Sequence, residues 1–310
     1  MSDSTASIHG REHLAERVRP LLDSSDEERI SFVQAERWIP YPRADKVLSL
    51  LEDLLVMPRT HRMPNLLVVG DTNNGKTAIL RRFERLHPCV ENARRDGNDM
   101  PVVYIQAPPV PDEGRLYNSI LTAVMAPFRT NDRADEKQKI VLRMIRRLEV
   151  RVLLIDEIHH IVAGHLTKQH QFRNLLKYLG NELQIPIVAA GTRDAFNALN
   201  TDPQLANRFT PALLPLWESG KDWDRLILSF ERRLPLREPS KLAQNASATL
   251  LEMTGGAIGE LSRLLTDAAV EAIRSGRDRM DKKLLTNLRW IKPSARRHGD
   301  DNTAAPIKNQ

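Results

Sequence analysis

Lys76 and Thr77 close the octapeptide Gly70-Asp71-Thr72-Asn73-Asn74-Gly75-Lys76-Thr77, in which four residues separate two glycines and an ammonium then stands beside a hydroxyl. Those types at that spacing suit a nucleoside triphosphate. The N–H groups of the loop and of the helix that follows it, Ala78 included, can surround phosphate oxygens while Lys76 neutralises the β- and γ-phosphates. A second pair, Asp156-Glu157, ends the apolar run Val152-Leu153-Leu154-Ile155. Asp156 there would hold Mg²⁺ with the Thr77 hydroxyl, and Glu157 would polarise the attacking water. A third run, Ala189-Ala190-Gly191-Thr192, offers the Thr192 hydroxyl to the γ-phosphate region, the plainer alternative being a helix N-cap.

These groups need a sheet that delivers them to one edge. Leu66-Leu67-Val68-Val69 before the loop and Ala78-Ile79-Leu80-Arg81-Arg82-Phe83 after it read as a buried strand turning into a helix. Val102-Val103-Tyr104-Ile105, Val152 to Ile155 and 185–191 read as further strands, the unalternating apolar ones being of the kind buried on both faces of a parallel sheet. Residues 212–216 read as a fifth strand, at an edge because of Pro215. Helical patterns at 137–149, with Ile140, Val141, Met144, Ile145 and Leu148 on one face, and at 172–183 alternate with the strands. The alternation predicts an α/β fold with a parallel sheet of about five strands.

After Asp222 the strand signals stop, and 222–234, 240–253, 259–275 and 280–290 read as helices parted by Pro239, Gly255-Gly256 and Gly276. The expected organisation is an N-terminal arm at 1–35, flexible or a short peripheral helix, a nucleotide-binding α/β domain at 36–220, a smaller helical domain at 221–291 and a disordered tail at 292–310. With 310 residues the chain has material for both domains. Its 28% charged residues, and the lack of an apolar run of the ~20 residues a membrane span needs, predict a cytoplasmic protein without a membrane partner. The single Cys89 predicts no intrachain disulfide, and none of the nine histidines sits in a zinc-ligand frame. Lys and Arg number 46 against 40 Asp and Glu, an excess of +6 that favours an anionic partner, nucleic acid first.

Taken together, the phosphate loop, an intervening strand, Asp156-Glu157, Thr192 and the run Gln204-Leu205-Ala206-Asn207-Arg208-Phe209 followed by a helical region resemble the AAA+ ATPases over roughly residues 40 to 290. That resemblance implies a P-loop core with a helical lid, Thr192 as sensor 1 and Arg208 as the finger that reaches a neighbouring subunit's γ-phosphate. Glu36-Arg37-Trp38-Ile39-Pro40-Tyr41-Pro42-Arg43-Ala44, Asp156-Glu157-Ile158-His159 and Phe230-Glu231-Arg232-Arg233-Leu234-Pro235-Leu236 narrow it. With the phosphate loop they resemble the TniB family of transposition ATPases, relatives of TnsC and MuB. The resemblance implies ATP with Mg²⁺, duplex DNA bound mostly without regard to sequence, and a homo-oligomer in a ring or helical filament. It also implies an integrase-type transposase and a target-selection protein of the TniQ type as partners. Trp38 and Arg43 would flank the adenine, with core packing as the alternative. One departure from the related origin-recognition ATPases is that Arg263 follows Thr254-Gly255-Gly256 about a turn later than a sensor-2 arginine would. A nucleotide-switched signalling or scaffold ATPase without DNA affinity, and a replicative helicase loader, remain open as other readings. No motif identifies the DNA-contacting residues, for which the loop from Pro108 to Arg115 is a better candidate than the Arg143, Arg146 and Arg147 face.

Overall fold

The computed structural model describes residues 11–92, 97–163 and 165–298. The chain forms two compact units, one of Pro42–Pro215 and one that joins the described parts of Met1–Tyr41 and Leu216–Gln310.

A 3-10 helix at Glu16–Asp23 leads to α1 (Asp26–Gln34). Ser25 and Glu28 start α1 reciprocally: the Glu28 N–H donates to the Ser25 hydroxyl at 3.3 Å and the Ser25 N–H to the Glu28 carboxylate at 3.1 Å. This stretch, expected as an arm or a short peripheral helix, instead buries Leu14, Val18, Leu22, Arg29 and Val33. Its sequence is polar because only a minority of its residues face inward, and the part before residue 11 lies outside the described residues.

The α/β unit runs α2 (Pro42–Val56), β1 (Asn65–Gly70), α3 (Lys76–Leu86), β2 (Val102–Gln106), α4 (Glu113–Ala123), α5 (Ala134–Arg147), β3 (Val152–Asp156), α6 (Leu166–Leu183), β4 (Ile187–Gly191), α7 (Arg193–Asn200), α8 (Pro203–Ala206) and β5 (Phe209–Leu214). The five strands are parallel, in the order β2-β3-β4-β1-β5. Every residue of β1, β3 and β4 is buried, as their continuous apolar runs require of strands covered on both faces. One layer of the core joins Leu67, Val103, Leu153 and Ile187 of the sheet to Leu116 and Ile120 of α4, Val141 and Ile145 of α5, and Leu179 of α6. The edge strand begins at Phe209 rather than at residue 212 and ends before Pro215. The proline it tolerates is Pro211, which removes a ladder N–H only where the sheet has a free edge.

The register puts the functional ends together. Gln106 pairs with Asp156, Val69 with Gly191 and Gly70 with Leu214, so the C-terminal ends of all five strands lie along one edge of the sheet.

The second unit continues with α9 (Lys221–Glu231), α10 (Leu242–Asn245), α11 (Ser247–Thr254), α12 (Ile258–Arg274), α13 (Lys282–Asn287) and α14 (Pro293–His298). The helix expected at 240–253 divides in two because Ala246, at φ −141°, leaves the helical region. α12 is the central helix, with Leu261, Leu264, Leu265, Ala268 and Ala269 fully buried. Trp38 stacks on Tyr41 at 6.3 Å, Tyr41 meets Trp217 edge-on at 5.6 Å and Trp217 lies 6.4 Å from Trp223. That aromatic row places residues 36–41 and 216–220 in the helical unit rather than in the α/β domain to which the sequence assigned them. Of the expected tail, Pro293–His298 is helical, with Arg296 paired to Glu260, and residues 299–310 lie outside the described residues.

Candidate nucleotide site

The phosphate loop spans the gap between the end of β1 and α3. Gly70 has no room for a side chain, because a Cβ there would meet the Leu214 carbonyl oxygen at 2.9 Å. Gly75 adopts φ 84° at the N-cap of α3, a left-handed conformation that costs glycine little, and no side chain caps the helix there. The first-turn N–H groups of α3 are thereby left to an anion, and the helix dipole favours one. The Asn74 amide nitrogen donates to the Leu214 carbonyl at 2.7 Å and fixes the loop against β5.

Lys76 is buried, and its Nζ donates to the Gly70 and Asp71 carbonyls at 2.9 and 2.8 Å. Its ammonium is thus held across the loop. Burial lowers the Lys76 pKa, and Glu157, Asp156 and Asp71 oppose that shift by favouring the charged form. Asp156, 1% exposed at the end of β3, accepts from the Thr77 hydroxyl at 2.6 Å, from the Tyr104 hydroxyl at 2.9 Å and from the Glu157 N–H at 2.8 Å. The sheet explains the Tyr104 contact: Tyr104 pairs with Leu154, and Asp156 lies two residues on, facing the same side. Burial and the Asp156 carboxylate push the Tyr104 hydroxyl well above the usual tyrosine range, and the Arg81 guanidinium lies 3.6 Å over its ring. Tyr104 is the site residue the sequence did not single out; its position near the end of the strand next to β3 is the signal that could have found it.

Glu157 sits at φ 56°, ψ 33°, left-handed for a residue with a side chain, and opens a 3-10 turn over Ile158–Val162. Its Oε2 is 3.0 Å from His159 Nδ1. Glu157, His159 and His160 bring three ligand-type atoms within 4.8 Å of one another, a grouping that the sequence frame did not suggest.

The remaining sequence candidates are divided between the two units. Thr192 follows β4 beside the end of β1 and forms the N-cap position of α7 without a side-chain capping bond, so its hydroxyl is not spent on the helix. Arg208 lies at the other end of the sheet, where its carbonyl accepts from the Asn65 N–H at 2.8 Å and its Nη1 donates to the Asn181 side chain at 2.8 Å. Five residue steps of β1 at about 3.3 Å each, roughly 16 Å, part this position from the phosphate loop, more than the Arg208 side chain can span. Arg43 donates to the Pro215 carbonyl at 3.1 Å in the α/β unit, whereas Trp38 belongs to the helical unit. Arg263 is exposed on α12 and faces the Trp290 ring at 5.8 Å.

The donor set fits Mg²⁺. A buried carboxylate and a hydroxyl in contact, beside the phosphate loop and its one ammonium, are hard oxygen ligands next to a phosphate cradle.

Comparisons with known proteins bear on the family and the fold. The family model described as bacterial TniB protein matches residues 29–219. The chaperone protein ClpB of Aquifex aeolicus (strain VF5) is 23% identical over 235 residues, 74% of this chain and 21% of that one, so the chain spans about a fifth of that curated relative's length. Among solved structures, the Aeropyrum pernix ORC2 protein (ADPNP-ADP complexes) has a TM-score of 0.58 at 17% identity, covering 82% of this chain and 70% of that one. The Aeropyrum pernix ORC1 protein in complex with DNA has a TM-score of 0.51 at 17% identity, covering 87% of this chain and 69% of that one. The fold is that of these AAA+ proteins.

Proposed function

This chain belongs to the bacterial TniB family and is an ATPase of the AAA+ fold, and from that premise we propose an ATP-dependent, DNA-binding regulator of transposition. It oligomerises on target duplex DNA, recruits or activates an integrase-type transposase, and leaves the DNA when ATP is hydrolysed. The observation that carries the reading is the contact of the Thr77 hydroxyl with the buried Asp156 at 2.6 Å, beside an ammonium held across the phosphate loop.

In this reading Lys76 and the α3 N-terminus bind the triphosphate, and Thr77 and Asp156 hold Mg²⁺, which supplies charge neutralisation to the phosphates. Glu157 accepts a proton from the attacking water. Thr192 orients the γ-phosphate. Arg208 cannot serve the phosphates of its own chain, so its finger role calls for a second copy beside the first. Residues 42–215 form the nucleotide-binding core and the helical residues after 216 the lid, with Arg263 as a candidate nucleotide sensor.

The DNA arm is supported by the cationic excess of +6 and by the shared fold of a neighbour that is itself in complex with DNA. Phosphate contacts then dominate, so affinity is indifferent to sequence and falls steeply with salt. The test is imaging and sedimentation of the protein with unrelated duplexes and a non-hydrolysable ATP analogue, together with phosphate release with and without duplex. Assembly that needs both nucleotide and DNA, weakens from low to physiological salt and raises turnover is expected. Assembly and turnover that ignore DNA would leave a nucleotide-switched scaffold instead.

A further inference from the structure

Arg17, Arg37 and Arg233 come from three separate stretches of the helical unit, and its backbone draws those stretches together. The Ala15 N–H donates to the Arg232 carbonyl at 2.7 Å, which lays the 3-10 turn carrying Arg17 beside the turn carrying Arg233. Arg233 Nη1 donates in turn to the Trp38 carbonyl at 2.6 Å, one residue beyond Arg37. Arg37 follows α1 and folds back on it: its Nη2 donates to the Val33 carbonyl at 2.7 Å, and its guanidinium carbon lies 4.0 Å from the centre of the Phe32 ring.

Guanidinium groups gathered in a fold ordinarily meet carboxylates, as Arg29 and Arg237 of the same unit meet Asp278. These three do not. Among the described residues none of them forms an ion pair, and Arg37 Nη1 is shut off from water without a hydrogen-bond partner. A buried donor left unpaired costs stability. Burial first, then the charges of Arg17 and Arg233, hold the Arg37 guanidinium down to about 10, while burial and Arg17 lower Arg233. No carboxylate is among the charges acting on either group. The fold thus keeps three like charges together, at a cost that a bound anion would remove.

The kind of anion follows from the donors. Three forks that arrive from three stretches of chain suit a tetrahedral group whose oxygens point several ways, whereas a planar carboxylate is filled by one fork. Arg17 is exposed and Arg37 and Arg233 are half-buried, so the cluster reaches the surface. Arg37 is anchored through Nη2 alone, and a small rotation of its head turns Nη1 outward.

We infer that Arg17, Arg37 and Arg233 form a phosphate-binding site in the helical unit, built from none of the residues of the nucleotide site, and that it takes a phosphate of the duplex DNA backbone or a phosphate ion from solution. The inference rests on the proposed function for the first of these sources only.

The experiment uses the full chain with its phosphate loop filled by a non-hydrolysable ATP analogue and Mg²⁺. Its thermal midpoint is read in inorganic phosphate against potassium chloride of equal ionic strength, and its affinity for unrelated duplexes is titrated at several salt concentrations. Wild type should gain about 3 °C in phosphate, as a ligand of the folded state requires. Arg17→Gln, at an exposed position that the fold does not need, and Arg37→Lys, which keeps the charge but not the fork, should both lose most of that gain. With the DNA backbone as the source, Arg17→Gln also weakens duplex binding about tenfold and lowers the salt slope by about one, while Arg17→Lys keeps the slope. Arg225→Gln removes one exposed charge from α9 and should change neither readout. Loss of the phosphate gain with unchanged duplex affinity would assign the site to the ion in solution. Wild-type midpoints and wild-type duplex affinity in both Arg17→Gln and Arg37→Lys would overturn the inference. So would an equal loss in Arg225→Gln, since net charge alone would then account for the effect. If the wild type binds no duplex at all, the proposed function loses its DNA arm, and the phosphate gain in wild type against Arg17→Gln still decides whether the site exists.

Discussion

Lys76 faces two carbonyls, those of Gly70 and Asp71, that it must release to reach a phosphate, and it is buried enough for desolvation to lower its pKa. A triphosphate offers far more negative charge than two carbonyl dipoles, so the exchange favours the nucleotide, and no other side-chain cation projects from within the loop. Lys76→Ala should therefore abolish nucleotide binding and with it nucleotide-dependent assembly on DNA. Titration with a fluorescent ATP analogue checks the first, sedimentation the second, and unchanged affinity would remove the site assignment. Glu157→Gln keeps shape and hydrogen-bonding capacity but cannot take a proton. Binding and assembly should survive while turnover falls about a hundredfold or more, the usual share of a general base. The expected consequence is a long-lived complex on DNA, seen as slowed dissociation after ATP is diluted. Turnover equal to wild type would assign the water to another group.

Among the elements, α1 and the loop before α13 are joined by charges taken out of water. Arg29 is fully buried; its guanidinium donates to the Pro235 carbonyl at 3.0 and 2.7 Å and pairs with Asp26 and Asp278, the latter also held by Arg237 at 2.5 Å. Arg29→Ala leaves Asp278 short of a partner in a buried place and should cost about 3 kcal/mol of stability or more, read from urea unfolding. Burial raises the Asp278 pKa, but Arg29 and Arg237 together outweigh it and hold the carboxyl below its ordinary 3.8. A carboxylate depressed on folding contributes stability that is fully present above the unfolded pKa and is lost as pH falls through the folded one, so the loss belongs below about pH 4. Asp278→Asn should start lower at neutral pH and lack that part of the acid slope; an unchanged slope would place the titration elsewhere. None of this network was legible in the sequence, since Arg29 lies in a polar stretch and its partner is 249 positions away. The strands were legible, because β1, β3 and β4 are buried on both faces and carry continuous apolar runs between their ends. So were the ends of those strands, where Lys76, Thr77 and Asp156 meet. Tyr104 and the His159-His160 pair escaped because their placement depends on sheet register and on a 3-10 turn, neither of which leaves a spacing signature.

At the scale of the whole molecule, the decisive feature is that Arg208 and the phosphate loop occupy opposite ends of one sheet. The Arg208 guanidinium is not free in the single chain: it donates to Asn181, and its Nε is buried without a partner. An arginine that leaves one donor unsatisfied is costly to keep buried, and an anionic group supplied by a second copy would relieve that cost while receiving charge stabilisation as its γ-phosphate departs. On the proposed reading the effect acts in trans. Arg208→Ala should bind ATP nearly as wild type does yet hydrolyse poorly, and Lys76→Ala should neither bind nor hydrolyse. In a mixture of the two, some interfaces pair an intact phosphate loop on the Arg208→Ala chain with an intact Arg208 on the Lys76→Ala chain. Those interfaces should recover a fraction of wild-type phosphate release that rises to a maximum near equal proportions and vanishes below the concentration at which the chains assemble. A mixture that co-assembles on DNA, shown by differently labelled chains in one particle, and stays as inactive as either variant alone would mean that Arg208 does not complete a neighbour's site. Its bond to Asn181 would then be the whole of its role.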